Sequence, residues 1–306
     1  MKFIKVPVLF IVFNRPEETK ISLHNILNSC QGKIYVSADG PRKGNLNDPH
    51  NCEQVRDIII NTSNEAQIFT NFHDDNLGCK NAIVQAVDWF FQNEEKGIII
   101  EDDVIPSPDF FKFSELCLNR YEDNKSISAI QGFNNYGQGI SSDRYFYSRG
   151  FYPWGWATWR DRWEKYKVDI TSKELLRNRR NFSPAYIETV ALMLDLVNNN
   201  LLDTWDYQFA AMQIIHDNFT ILPEANLVQN IGVNGAHSVN NVLDFKLGKM
   251  NVSNLSSPSE VADNSELNHQ TWHEYKENIF KIRIKKLIFQ LGLFSFARKI
   301  KKSLGK

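Results

Sequence analysis

The chain has 306 residues, 42% of them hydrophobic and 23% charged, with a formal net charge of -1. That length buries a sizeable core in one large domain or two smaller ones, and the composition is that of a globular protein. The near-zero charge excludes a global pull toward nucleic acid.

Cys30, Cys52, Cys79 and Cys117 are scattered, with no C-x-x-C pair, so reduced thiols in a cytoplasmic protein are expected. No apolar run approaches the roughly 20 residues of a membrane span, and the run at 8–13 is too short for a signal-peptide core. Residues 6–13 are read as a buried strand. Asn14-Arg15-Pro16-Glu17-Glu18 then starts a helix: Asn14 or Arg15 precedes it, proline takes its first turn, and the glutamates favour its positive end. Residues 33–38 predict a second strand ending at Asp39-Gly40-Pro41, residues 53–61 a helix and residues 67–72 a third strand. Residues 80–92 carry apolar side chains at 83, 84, 87, 90 and 91, which is helical spacing. Residues 97–100 are apolar or glycine throughout and read as a central strand. This alternation implies a parallel sheet with helices on both faces.

The second half is less regular. Residues 108–121 predict a helix, followed by a strand and aromatic loops to Trp163, then helices at 183–199 and 206–217. Residues 239–266, rich in Asn and Ser, read as a loop or mobile lid. Residues 281–306 hold nine Lys or Arg and no Asp or Glu. With Ile284, Leu287, Ile288 and Leu291 on one face, this tail suits an anionic membrane or packing on the body with a solvated basic side.

The chemistry centres on Glu101-Asp102-Asp103, directly after the apolar strand. Ligands of open α/β sheets bind outside the carboxyl ends of strands. Adjacent acids there repel one another unless a cation is present, and Mg²⁺ or Mn²⁺ prefers carboxylate and phosphate oxygens. A metal bridging protein and diphosphate is the simplest account, and a solvated turn is the plain alternative. Asp39 and Arg15 follow two other strands and converge on the same edge. Asp39 could accept from the imide N–H of uracil, or simply form a turn; Arg15 could hold phosphate or base. Phe151-Tyr152-Pro153-Trp154-Gly155-Trp156 offers aromatic planes for sugar C–H faces, or a core strand. Asp206, with Asp203 as its near competitor, could deprotonate an acceptor hydroxyl or cap a helix. His237, in a glycine-bent loop, could reach the metal or diphosphate, or be an ordinary surface histidine.

These blocks, in this order, resemble the GT-A glycosyltransferases, most closely the N-acetylglucosaminyltransferase I group and related bacterial surface-polysaccharide enzymes. The resemblance covers roughly residues 6–240. It rests mainly on Glu101-Asp102-Asp103 continuing to Pro108-Asp109-Phe110-Phe111, and on the Phe151-to-Trp156 segment. It implies a GT-A, Rossmann-like mixed sheet flanked by helices. It also implies inverting, Mn²⁺- or Mg²⁺-dependent transfer of a sugar, from a UDP-sugar by preference, to a glycan or lipid-linked glycan. Asp103 would be the metal ligand, with His237 near it. Glu101 and Asp102 would contact the donor's sugar or ribose, Arg15 and Asp39 would hold the nucleotide, and Trp154 and Trp156 would line the donor site. Asp206 would be the catalytic base, although Tyr207 replaces the family's second acid there. The expected organisation is a catalytic domain over 1–240, divided into a nucleotide-binding half to 105 and an acceptor half, then a loop-rich region over 241–280 and the basic tail. The expected place is the cytoplasm, peripherally on the inner face of the plasma membrane if the tail binds lipid. Two rivals stand beside it. A sugar-phosphate nucleotidyltransferase needs a glycine-rich loop after the first strand, and Phe13-Asn14-Arg15-Pro16 has no glycine. A non-catalytic carbohydrate-binding protein would need neither metal nor nucleotide.

Overall fold

The computed structural model describes residues 3–62, 67–177, 181–232, 245–255 and 279–294. His237, and residues 239–244 and 256–266 of the Asn/Ser-rich stretch, lie outside the described residues. The chain forms two compact units, one of Met1–Lys165 with Phe219–Ala262 and one of Tyr166–Asn218 with Asp263–Lys306.

The first unit begins with β1 (Val8–Val12), α1 (Pro16–Leu27), β2 (Ile34–Ala38), α2 (Asp48–Thr62), β3 (Ile68–Phe72), α3 (Cys79–Asn93) and β4 (Lys96–Glu101). These four strands are parallel, in the order β3-β2-β1-β4. β1 and β2 are buried along their whole length, as a sheet covered on both faces requires. Val8, Phe10, Val36, Ile98 and Ile100 share one core cluster with Leu23 and Ile26 of α1 and Val55 and Ile59 of α2. On the other face Tyr35 packs edge-on against Trp89 and Phe90 of α3. α2 begins at Asp48-Pro49 rather than at residue 53, because aspartate followed by proline starts a helix well.

The chain continues through β5 (Val104–Pro106), α4 (Pro108–Arg120), β6 (Ile127–Gln131), β7 (Ser141–Ser142), β8 (Tyr145–Ser148), β9 (Trp156–Trp159) and α5 (Arg160–Trp163), then β10 (Phe219–Pro223), β11 (Val228–Asn230) and β12 (Lys249–Met250). The full sheet is eight-stranded, β3-β2-β1-β4-β9-β6-β10-β8, so the architecture is a mixed α/β sheet flanked by helices. The reversal comes from β9, which lies antiparallel between β4 and β6. The parallel sheet implied by the first hundred residues is therefore only one half of a mixed one. Trp156 pairs with Ile99 and Trp159 with Lys96. The tryptophan segment is thus partly a central strand rather than a loop. Arg162, 2% exposed, stacks over the Trp159 ring and donates to the carbonyls of Tyr121 and Glu122 at 3.0 and 2.7 Å. Phe245 is buried and β12 pairs with β7, so residues 245–250 are tied into the body of this unit rather than hanging as a loop.

The second unit is helical: α6 (Ser172–Arg177), α7 (Pro184–Asn198), α8 (Asp206–His216) and α9 (Ile279–Gln290). Ile187, Val190, Ala191 and Leu194 recur at helical spacing on α7 and cluster with Ala210, Ala211 and Ile214 of α8. No disulfide joins the four cysteines, all of which are described, and burial pushes the Cys30 and Cys52 thiols up to about 11.

Trp156→Ala is expected to lower the unfolding free energy by about 3–5 kcal/mol, the cost of emptying a large aromatic site in a core. Urea denaturation followed by circular dichroism measures it. A loss under about 1 kcal/mol, the scale of a surface change, would remove Trp156 from the core.

Candidate functional site

Strand order reverses at β1: β2 lies on one side and β4 on the other. The carboxyl ends of β1 and β4 therefore flank a topological switch point, where open α/β sheets bind ligands. Arg15 follows β1 and Glu101-Asp102-Asp103 end β4. Arg15 Nη1 lies 2.9 Å from Asp102 Oδ1 and 2.7 Å from Asp103 Oδ2. The Phe13 N–H donates to Asp102 Oδ2 at 3.0 Å. Below them, Ser22 Oγ of α1 sits 3.0 Å from the Asp102 carbonyl oxygen and 2.8 Å from that of Val104. The Ile231 N–H donates to the Asp103 carbonyl at 2.8 Å.

Electrostatics follow from burial. Asp102, 4% exposed, is pushed up to about 7 by desolvation, against the pull of Arg15. Asp103 is raised for the same reason. Burial disfavours the charge on Arg15, but the two carboxylates outweigh it and hold the guanidinium above its ordinary value. Glu101, half-buried, ends β4 opposite Ile11. Gly232 is dictated by closeness: a Cβ there would lie 2.3 Å from Asp103 Oδ2.

Asp39 leaves β2 beside this pair, its N–H donating to the Val12 carbonyl at 3.2 Å. Its carboxylate accepts from the N–H groups of Gly40 and Leu77 and from Asn76 Nδ2. Burial raises its pKa against those donors. Asp39 is thus a clamp between the ends of β2 and β3, with little acceptor capacity left for a base.

Sequence patterning passed over Asp48. This residue, 1% exposed at the start of α2, accepts from Asn14 Nδ2 at 2.8 Å and from Arg42 Nε, Nη2 and backbone N–H at 2.6, 2.9 and 3.1 Å. It ties the turn after β1 to the loop after β2 and sets Arg42 over the Phe13 ring. The Asp-Pro helix start was its only sequence signal.

Trp156 is 1% exposed and packs edge-on against Phe151, so it offers no plane to a sugar. Trp154 is half-buried against Phe133 and Phe245. Asp206 and Asp203 belong to the second unit. Asp206 opens α8, is half-buried and accepts from the Thr204 hydroxyl, while Asp203 is exposed. Trp205, 2% exposed, packs edge-on against Phe209 and accepts at its carbonyl from the Tyr166 hydroxyl.

Among the described residues, no three His, Cys, Asp or Glu side chains gather as a metal cage. The donor set at β4 suits a hard divalent ion only as a site completed by phosphate oxygens, with Arg15 giving up its contact to Asp103. No helix of the described residues is long and apolar enough to cross a membrane.

No protein-family model and no curated protein matches the chain. Similar solved structures include the inositol-1-phosphate CTP transferase from T. maritima, at 8% identity and a TM-score of 0.40, covering 76% of this chain and 91% of that one. An apo-UDP-glucose pyrophosphorylase aligns at 8% identity and a TM-score of 0.38, over 75% of this chain and 94% of its own. HddC from Yersinia pseudotuberculosis aligns at 12% identity and a TM-score of 0.29, over 51% and 77%. Likenesses this loose carry no argument about chemistry.

Two outcomes follow. Gly232→Ala should cost about 1–3 kcal/mol by overpacking against the Asp103 carboxylate. Adding Asp103→Ala should recover part of it; strictly additive losses in a double-mutant cycle would exclude the contact. Asp48 is held below the ordinary carboxylate value, first by hydrogen bonds from Arg42, against its burial. Its stabilisation is therefore present above about pH 4 and lost as pH falls through the lowered value. Asp48→Asn should lower the melting temperature at neutral pH and converge with the parent in acid. Equal losses at both would sink the ion-pair account.

Proposed function

We propose that the protein is a transferase acting on a nucleotide-diphosphate sugar, and that its reaction is glycosyl transfer with inversion. The observation that carries the proposal is Arg15 meeting Asp102 and Asp103 at the β1/β4 switch point, with Asp39 on the adjoining strand. A guanidinium there can exchange one carboxylate for a phosphate oxygen without losing its charge partner. Asp103 would hold a divalent cation together with the diphosphate, and that ion would supply charge neutralisation for the departing nucleoside diphosphate.

The remaining steps fall to the chain's own groups. Arg15 orients the diphosphate. Asp39 keeps the β2 loop in place to receive the nucleotide. A carboxylate base has to take the proton from the acceptor hydroxyl as that oxygen attacks the anomeric carbon and the C–O bond to the diphosphate breaks. The GT-A resemblance alone names Asp206 for this role, with Asp203 as the competing carboxylate, and it alone supplies the uridine donor and the glycan acceptor.

Nucleotidyl transfer onto a sugar phosphate is the second reading. The basic residues Arg15 and Arg42 at the same edge would suit a triphosphate equally well. The glycine-free turn between Val12 and Pro16 counts against it.

Incubation with a panel of nucleotide sugars and Mn²⁺ should release nucleoside diphosphate. Pyrophosphate release from a nucleoside triphosphate and a sugar phosphate would instead establish the second reading. Glycan binding with neither release would make the protein a carbohydrate-binding module. Asp103→Asn, which keeps an acceptor for Arg15, should lose the stabilisation by UDP plus Mn²⁺ while its ligand-free melting temperature changes little. An undiminished shift would remove Asp103 from the metal role.

A further inference from the structure

Helix α9 uses only one of its sides to hold the second unit together. Ile282 is 5% exposed and clusters with Leu192 and Leu196 of α7, with Phe289 packed beside them. Arg283 Nη2 pairs with Glu188 of α7 at 3.3 Å. Gly292, at φ +69°, closes the helix: its N–H donates to the Phe289 carbonyl at 2.9 Å, and the Leu293 N–H donates to that of Ile288 at 3.0 Å.

Successive residues turn by about 100°, so the side facing away from α7 carries Phe280, Ile284, Leu287 and Leu291. They are 72%, 43%, 56% and 62% exposed. Periodicity alone put Ile288 in this row. The structure moves it to a half-buried flank and brings in Phe280. Lys281 and Arg283 border the stripe, Lys285 and Lys286 lie farther round, and residues 281–306 contain no acid.

We propose that this stripe docks on an anionic lipid surface, its apolar side chains entering the acyl boundary and its cations reaching lipid phosphates. Charge selects the occupant. Two copies meeting stripe to stripe would set Lys281 of one against that of the other, with Lys285 and Lys286 adding to the like charge, whereas an anionic bilayer accepts apolar row and cations together. The inference is independent of the chemistry at β4.

Full-length protein is pelleted with sucrose-loaded vesicles of phosphatidylcholine containing about 30% phosphatidylglycerol, and with phosphatidylcholine alone. Partitioning should favour the anionic vesicles by more than about tenfold and fall in about 0.5 M salt. Ile284→Ser with Leu287→Ser, both exposed, should reduce it about tenfold with an unchanged melting temperature. Lys285→Glu with Lys286→Glu should reduce it without touching the stripe. Equal pelleting of the serine variant, or no preference for anionic lipid, would overturn the proposal. So would a concentration-dependent dimer that the serine substitutions abolish in a protein that ignores vesicles.

Discussion

One guanidinium holds two adjacent carboxylates at the end of a strand buried on both faces. Asp102 and Asp103 could not both carry charge there unaided, because burial penalises each and each opposes the other. Arg15 supplies the opposite charge, and it can do so only where β1 lies beside β4. Pro16, at the first turn of α1, starts the helix directly after Arg15. Ser22, one face of the same helix, engages the carbonyls around the acids. Strand order, helix start and loop path thus meet in a single electrostatic requirement.

The second organising residue is Asp48. It draws Arg42 and Asn14 together, so the loops after β1 and β2 are shaped by one carboxylate rather than independently. Asp39 performs the matching task toward the loop after β3. The edge of the sheet is therefore a set of loops braced by buried acids. Such bracing lowers the ordering cost that a flexible edge would meet on binding any ligand. The closure of Gly232 onto Asp103 brings the segment after β11 to the same place.

A fold of this kind hosts many chemistries, and the reaction resides in the groups at its edge. Glycosyl and nucleotidyl transfer both need a cationic place for phosphate beside a carboxylate. They differ in which bond breaks: the sugar's anomeric C–O bond, or the bond between the α and β phosphates. In the proposal, Arg15, Asp39 and the acids of β4 would serve the shared requirement. The proposed preference for the first reaction rests on the turn after β1, which has no glycine to let a triphosphate approach the backbone closely.

The strands and helices of the first hundred residues were legible because each is a local pattern: unbroken apolar runs for buried strands, a three-to-four-residue repeat for helices. That Arg15, Asp39 and the acids of β4 share one sheet edge was legible too, since residues that follow parallel strands necessarily emerge on the same side. The ion pair between Arg15 and the acids was not, because their separation in the chain is bridged only by β1 pairing with β4. The tryptophan segment shows the limit most clearly. Its composition fits a sugar platform as well as a core strand, and only its insertion between β4 and β6 buries Trp156 and leaves Trp154 at the margin. On α9, likewise, the sequence alone determined an amphipathic basic helix. Which of its apolar residues face outward was decided by α7, whose Leu192 and Leu196 take Ile282 and leave Phe280, Ile284, Leu287 and Leu291 to the solvent, because one helix can bury only the side that meets its neighbour.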